Sequence, residues 1–392
     1  LTGVSHAAKG KSVIGPFPEA EFLELHRRLV CTLAPPNHEE PRHRLLASLL
    51  DERGIAHRSD NAGNLIASLG SGPWSEAVVL DAHLDVVERG GSDEVRSDGP
   101  NLVGLGVGDD LAAVTMLALA LIRLHGRSAK LSRQLVFLFS TGEEGLGNLR
   151  GIRQFVADRR DPPYAYLAFD GSQESYSLTG LGSLRYKLLV ETPGGHSWGD
   201  FGVPNAIEVM VDCLADARRA WAETVQNAAY GNSYNFGTIE GGQGINSIAR
   251  HAQATFEYRS VSPSVLDQLA ASVQQLQERL RSRYPQANVV IQLLGQRPAG
   301  TAPHQERLRP LVEAVLDPTL RASEVPMSTN INVPIAHGWP AVCLGLCQCG
   351  NAHREDEYLR LDSLPIGWQG LDALFRLLQA NPPSDEPRCP HD

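Results

Sequence analysis

The sequence predicts an α/β protein: a mixed sheet with helices on both faces, interrupted by a smaller ferredoxin-like α+β unit. Three observations carry this expectation. Short apolar runs alternate with helical spacing through residues 19–169, the order of elements changes near Gly180, and the first pattern resumes after residue 296. Strands that alternate with helices build a sheet covered on both faces.

In the first part, residues 19–30 and 40–53 have helical apolar spacing that turns Leu23, Leu29, Leu45, Leu46, Leu49 and Leu50 toward a core. Residues 64–69 and 77–80 read as strands. Residues 110–125 make a strongly apolar helix with an acidic start, where carboxylates are favoured. A buried strand at 134–140, a helix at 149–159 and a strand at 164–169 follow. The next segment reads as strand 184–191, helix 204–221 opened by Pro204, strands 234–239 and 251–259, helix 263–283 and strand 288–294. That β-α-β-β-α-β order is the split βαβ arrangement. A helix at 306–316, a strand at 341–346 and a helix at 364–379 precede a Pro-rich tail, 382–390. The expected organisation is one domain made of residues 1–181 and 297–392, with 182–296 inserted.

With 392 residues, 42% hydrophobic and 20% charged, the chain can bury a large core. Its 45 acidic against 35 basic residues argue against a general phosphate-backbone binder, so no nucleic-acid partner is expected. Apolar runs such as 135–139 fall far short of the ~20 residues of a membrane span, and no signal peptide pattern opens the sequence. Six cysteines in so long a chain make no disulfide framework. Cys343, Cys347 and Cys349 have no matching second half of a zinc motif, and reduced thiols suit a cytoplasmic protein.

The chemistry-bearing residues stand at strand ends. His83 and Asp85 are separated by one residue, which on an extended chain points both the same way. Asp85 is thus a candidate to hold the second ring nitrogen of a metal-bound His83; a hydrogen-bonded turn is the plainer reading. Asp109 and Asp110 follow a Gly-rich turn and precede an apolar helix. One carboxylate suffices to cap that helix, which leaves the other free to bridge cations. Neither a GxGxxG nor a GxxxxGK[ST] loop is present, so a nucleotide site is not expected. Glu143 and Glu144 stand between glycines after a buried strand. Their side chains diverge, so one can bind metal while the other acts as a general base. Asp170 ends another strand, and His353 lies in the polar loop after the last one. Two imidazoles and at least three carboxylates converge if these ends share one edge of the sheet. Cations would be needed to offset their repulsion.

Taken in order, AHLDVV, GVGDD, STGEEG, AFDG, GGHS, GINSI, EYRS and NAHREDEY make the chain resemble the M20 family of dinuclear zinc peptidases and amidohydrolases. That family includes tripeptidase T, carboxypeptidases, aminoacylases and succinyl-diaminopimelate desuccinylase, and the last motif looks closest to the tripeptidase-T side. The resemblance implies a zinc-exopeptidase-like catalytic domain with an inserted lid domain that usually mediates dimerisation. It implies Asp109 as the bridging carboxylate, His83 and Asp170 on one zinc, and Glu144 and His353 on the other. It also implies Asp85 as orienter of His83 and Glu143 as general base. His196 would reach a partner subunit's site to stabilise the oxyanion, and Asn246 and Arg259 would hold the substrate's carbonyl oxygen or carboxylate. Two departures stand out: Leu111-Ala112 where the family often has Lys-Gly after the aspartates, and Leu105 in place of an arginine.

The expected activity is therefore hydrolysis of amide bonds in di- or tripeptides or N-acyl amino acids by a water activated on two divalent ions, most simply Zn2+, with Co2+ or Mn2+ as alternatives. A competing expectation is a metal-containing binding or regulatory protein without turnover. A metal-loaded protein inert toward a broad substrate panel distinguishes the second from the first.

Overall fold

A computed structural model describes residues 11–87, 95–127, 131–226 and 231–380. The Pro-rich tail expected at 382–390 lies outside them. The chain divides into two compact units. One comprises Leu1–Leu178, Ala302–Val325 and Thr329–Asp392, and the other Thr179–Thr301 with Pro326–Ser328.

The first unit is built on an eight-stranded mixed sheet, ordered His57–Ser59, Leu65–Leu69, Leu135–Ser140, Val78–His83, Ala165–Ala168, Ala341–Leu344, Ser175–Ser177 and Ser323–Glu324. Its centre is parallel: Val78–His83 pairs with both Leu135–Ser140 and Ala165–Ala168, and Ala165–Ala168 also pairs with Ala341–Leu344. The strands toward His57 are antiparallel. Every residue of Val78–His83 and Leu135–Ser140 is buried, which requires cover on both faces of the sheet. Part of that cover is Leu111–Gly126, an apolar helix with twelve buried residues. Parallel strands deliver their carboxyl ends to one edge. The register sets His83 opposite Ser140, and Asp81 opposite Ala168, so the residues after these strands emerge side by side where α/β sheets bind ligands.

Most elements fall within a few residues of their expected bounds. The strand expected at 77–80 continues to His83, which is therefore its last residue. The first helix is Glu19–Val30, and its buried face is Phe22, Leu25, His26, Leu29 and Val30, with Leu23 only half-buried. A four-stranded antiparallel sheet was not expected: Cys349–Gly350, Tyr358–Arg360, Asn101–Val103 and Arg96–Asp98. Val103 pairs with Tyr358, so the Gly-rich turn after Val103 and the loop before Tyr358 leave the same end of this sheet.

The second unit has a four-stranded antiparallel sheet ordered Asn232–Gly241, His251–Ser260, Gly182–Glu191 and Asn288–Arg297. Helices Ala206–Val225 and Pro263–Arg283 complete the ferredoxin-like order. Strand Gly182–Glu191 alternates buried Leu184, Tyr186, Leu188 and Val190 with half-exposed Arg185, Lys187 and Leu189, the pattern of a sheet with one covered face. The first helix opens two residues later than expected. Its cap is the Asn205 side chain, which accepts the Ile207 N–H at 2.9 Å, rather than Pro204.

Candidate metal centre

His83 closes a fully buried strand and is itself 1% exposed. Its backbone N–H donates to Asp110 Oδ2 at 2.9 Å, and its Nδ1 lies 3.0 Å from the Asp85 carbonyl oxygen. The Asp85 carboxylate is farther from that nitrogen, at 3.8 Å. It accepts the backbone N–H groups of Glu143 at 3.1 Å and Glu144 at 2.7 Å instead. Asp85 thus holds the imidazole through its main chain and the paired glutamates through its side chain. Arg42 braces the same turn, donating to the Leu84 carbonyl at 2.5 Å.

Asp109 stands at the centre of the cluster. Its Oδ1 is 3.2 Å from His83 Nε2 and its Oδ2 3.2 Å from His353 Nε2. His353 Nε2 is also 2.7 Å from Glu144 Oε1. Two sets of ligand-type atoms, His83/Asp109/Asp170 and Asp109/Glu144/His353, each lie within 4.8 Å of one another and share Asp109. A third set, His83/Glu143/Glu144, brings Glu143 to the same place. Asp110 occupies the cap position of the apolar helix but makes no side-chain capping bond, because its carboxylate is turned to His83.

The electrostatics are those of a buried excess of carboxylates. Burial pushes Asp170 and Asp110 well above the usual carboxylate range, and neighbouring Asp109 pushes both further. Burial raises Glu144 to about 7 despite its bond to His353. Asp109 is driven the other way: burial opposes its charge, but the two imidazoles facing it outweigh burial. Bonds to Asp109 and Glu144 raise His353 to about 10. Burial would lower His83, yet Asp109 and Asp110 hold it well above its ordinary value.

These residues fit divalent cations. The buried His83 Nε2 sits within ion-pair distance of Asp109 but has no aligned hydrogen-bond partner. The donor set of imidazole nitrogen and carboxylate oxygen suits zinc and its neighbours. Among the described residues, no cysteine belongs to a group arranged to hold a metal.

The remaining residues singled out by sequence belong to the second unit. His196 Nδ1 accepts the N–H groups of Trp198 at 3.3 Å and Gly199 at 3.2 Å, which leaves Nε2 to carry the ring proton. Asn246 is exposed, and its main-chain oxygen accepts the Ser197 N–H at 3.0 Å. Arg259 forks onto Glu257, with Nε 2.8 Å from Oε1 and Nη2 3.2 Å from Oε2. Sequence reasoning missed Glu357, Arg42 and the turn of Asp110 toward His83. Glu357 holds backbone groups about 250 positions away and Arg42 reaches the Leu84 carbonyl, contacts that spacing does not reveal.

Residues 79–377 match the model of peptidase family M20/M25/M40. The chain belongs to this family. Curated relatives of the M20 chain are acetylornithine deacetylases. That of Photorhabdus laumondii is 26% identical over 366 residues, 86% of this chain and 92% of the relative. That of Salmonella typhi is 24% identical over 378 residues, covering 89% and 94%. The fold is shared with a tripeptidase of Staphylococcus aureus, at a TM-score of 0.75 and 16% identity, covering 94% of this chain and all of that one. It is also shared with human carnosine dipeptidase 1, at 0.68 and 14% identity, covering 93% and 97%. The protein is a hydrolytic enzyme of the M20 peptidase and amidohydrolase type.

Proposed function

We propose that this M20 enzyme hydrolyses amide bonds in small substrates, di- or tripeptides or N-acyl amino acids, using two divalent ions held by His83, Asp109, Glu144, Asp170 and His353. The observation that carries the reading is the pair of ligand sets sharing Asp109, with Glu143 beside them. Zn2+ is the ion that best suits the donors, with Co2+ and Mn2+ able to replace it. Ions bound there supply positive charge that lowers the pKa of water toward neutrality and polarises an amide carbonyl.

The chain's own groups do the rest. Glu143 takes the proton of the attacking water and returns it to the leaving nitrogen. Asp85 holds the Glu143–Glu144 peptide still through its two backbone bonds. His196 of the partner subunit offers its Nε2–H to the developing oxyanion in a homodimer formed through the second unit. Support for that dimer comes from Asn232–Gly241, the edge strand of its sheet among the described residues, and from Trp198, Phe201, Val211, Ile239 and Ile245, all exposed apolar side chains. Asn246 and Arg259 receive the substrate's carbonyl oxygen or carboxylate, and the substrate must displace Glu257 from Arg259 to do so. The described cysteines form no disulfide, which supports a cytoplasmic setting.

Chelation abolishes hydrolysis in this account, and Zn2+, Co2+ or Mn2+ restores it. A panel pairing free-amine peptides with N-acylated amino acids reads which end of the substrate is recognised. Turnover that survives complete metal removal contradicts the proposal.

A further inference from the structure

One buried carboxylate near the cluster has no part in the chemistry above. Glu357 is 1% exposed and sits just before the strand Tyr358–Arg360. Its Oε1 accepts the N–H groups of Gly108 at 2.9 Å and Asp109 at 3.0 Å, and its Oε2 accepts that of Gly106 at 3.0 Å. Its own carbonyl oxygen accepts the Gly104 N–H at 2.9 Å. Four N–H groups of the Gly-rich turn therefore end on this single residue. Among the described residues no Lys, Arg or His forms an ion pair with it, and its carboxylate is held by backbone N–H groups.

The turn is shaped to admit it. A Cβ on Gly108 would stand 2.6 Å from Cys349 Cβ, so only glycine lets the turn pack this closely on the segment that carries Cys349 and Glu357. Gly106 has φ +77°, a conformation that L side chains rarely adopt. Four residues upstream of Glu357, the same loop carries His353, which faces Asp109 Oδ2. One side chain thus ties together the two segments that approach each other across Asp109.

We infer that Glu357 is a positioning residue that fixes the Asp109 peptide so that the two Asp109 oxygens face His83 and His353 at once. This rests on the proposed metal-dependent reaction. Outer partners of metal ligands typically change affinity or activity by about 10–100-fold when removed. Glu357→Gln keeps the shape, but its amide nitrogen meets the Gly106 N–H donor to donor.

The test compares wild type, Glu357→Gln and Gly108→Ala by Co2+ titration, visible absorption and steady-state kinetics. Asp372→Asn serves as the control. Asp372 also accepts backbone N–H groups, those of Val13 and Ile14, but is not in the cluster. The expected result is a weakened Co2+ affinity, an altered Co2+ spectrum and a kcat about 10–100-fold lower with KM little changed. Both variants should do this, and the double variant should lose less than the sum. Asp372→Asn should lower Tm and leave the spectrum alone. If Glu357→Gln does not fold, Gly108→Ala carries the test. A normal spectrum and kcat in a folded variant overturn the role of Glu357, while a wild type that binds no Co2+ overturns the metal reading itself.

Discussion

His83 and His353 face opposite oxygens of Asp109 at the same 3.2 Å, yet they are held in opposite ways. His83 ends a buried strand, with its main-chain N–H on Asp110 and its Nδ1 on the Asp85 carbonyl. The His353 side chain is 51% exposed and stands on a loop with φ +66°, left-handed backbone that costs a non-glycine residue about 1–2 kcal/mol. The loop is braced by Asn351, whose amide donates to Asp356 Oδ2 at 3.0 Å, and by Arg354, whose Nε is 2.8 Å from Asp356 Oδ1. One half of the centre is fixed by the core. The other stands on a half-exposed loop, held by these local bonds and by Glu357.

The largest effect should come from a group that belongs to neither histidine. Glu143→Ala is expected to lower kcat by about 10²–10⁴-fold while metal content stays unchanged, as read by kinetics with metal analysis. Normal turnover would remove Glu143 from the mechanism.

Replacing the two histidines tests the contrast itself. His83→Ala leaves buried carboxylates facing one another and should cost about 3–5 kcal/mol of stability in denaturant melts, besides weakening metal binding. His353→Ala should release one ion and, because its imidazole is half-exposed, cost less stability than His83→Ala. Equal destabilisation by both would show that the halves do not differ.

A third imidazole sharpens the comparison. His26 is as buried as His83 but, among the described residues, is paired with no carboxylate; its Nδ1 meets Thr115 Oγ1 at 3.1 Å. Burial lowers its pKa to about 4 from 6.5. The unfolded chain then binds a proton that the folded chain refuses. Stability is full above about pH 6.5 and falls by about 3 kcal/mol as pH drops toward 4. His26→Leu should flatten that limb of the stability–pH curve.

A smaller effect belongs to the second unit. Glu257→Gln frees Arg259 from its fork and should lower KM a few-fold for carboxylate-bearing substrates, with kcat little changed. No change in KM would separate Arg259 from substrate binding.

Much of this was legible in the sequence, for a physical reason. Strands such as 134–140 and the helix at 110–125 are buried so completely that their apolar runs announce them. Polar residues at the ends of such runs are poor packing choices, which is why His83, Asp109, Glu143, Glu144 and Asp170 stood out. The small sheet of Arg96–Asp98, Asn101–Val103, Cys349–Gly350 and Tyr358–Arg360 did not, because strands of two or three residues show no alternation. Nor did the bonding of Asp85 and Glu357. Both spend their carboxylates on backbone N–H groups, Glu357 on ones about 250 positions away, and a main-chain donor carries no side-chain signature.

The most direct test is metal analysis of the folded protein after dialysis against Zn2+. Two equivalents per chain are the predicted result. A folded chain that retains none would contradict a centre built around Asp109.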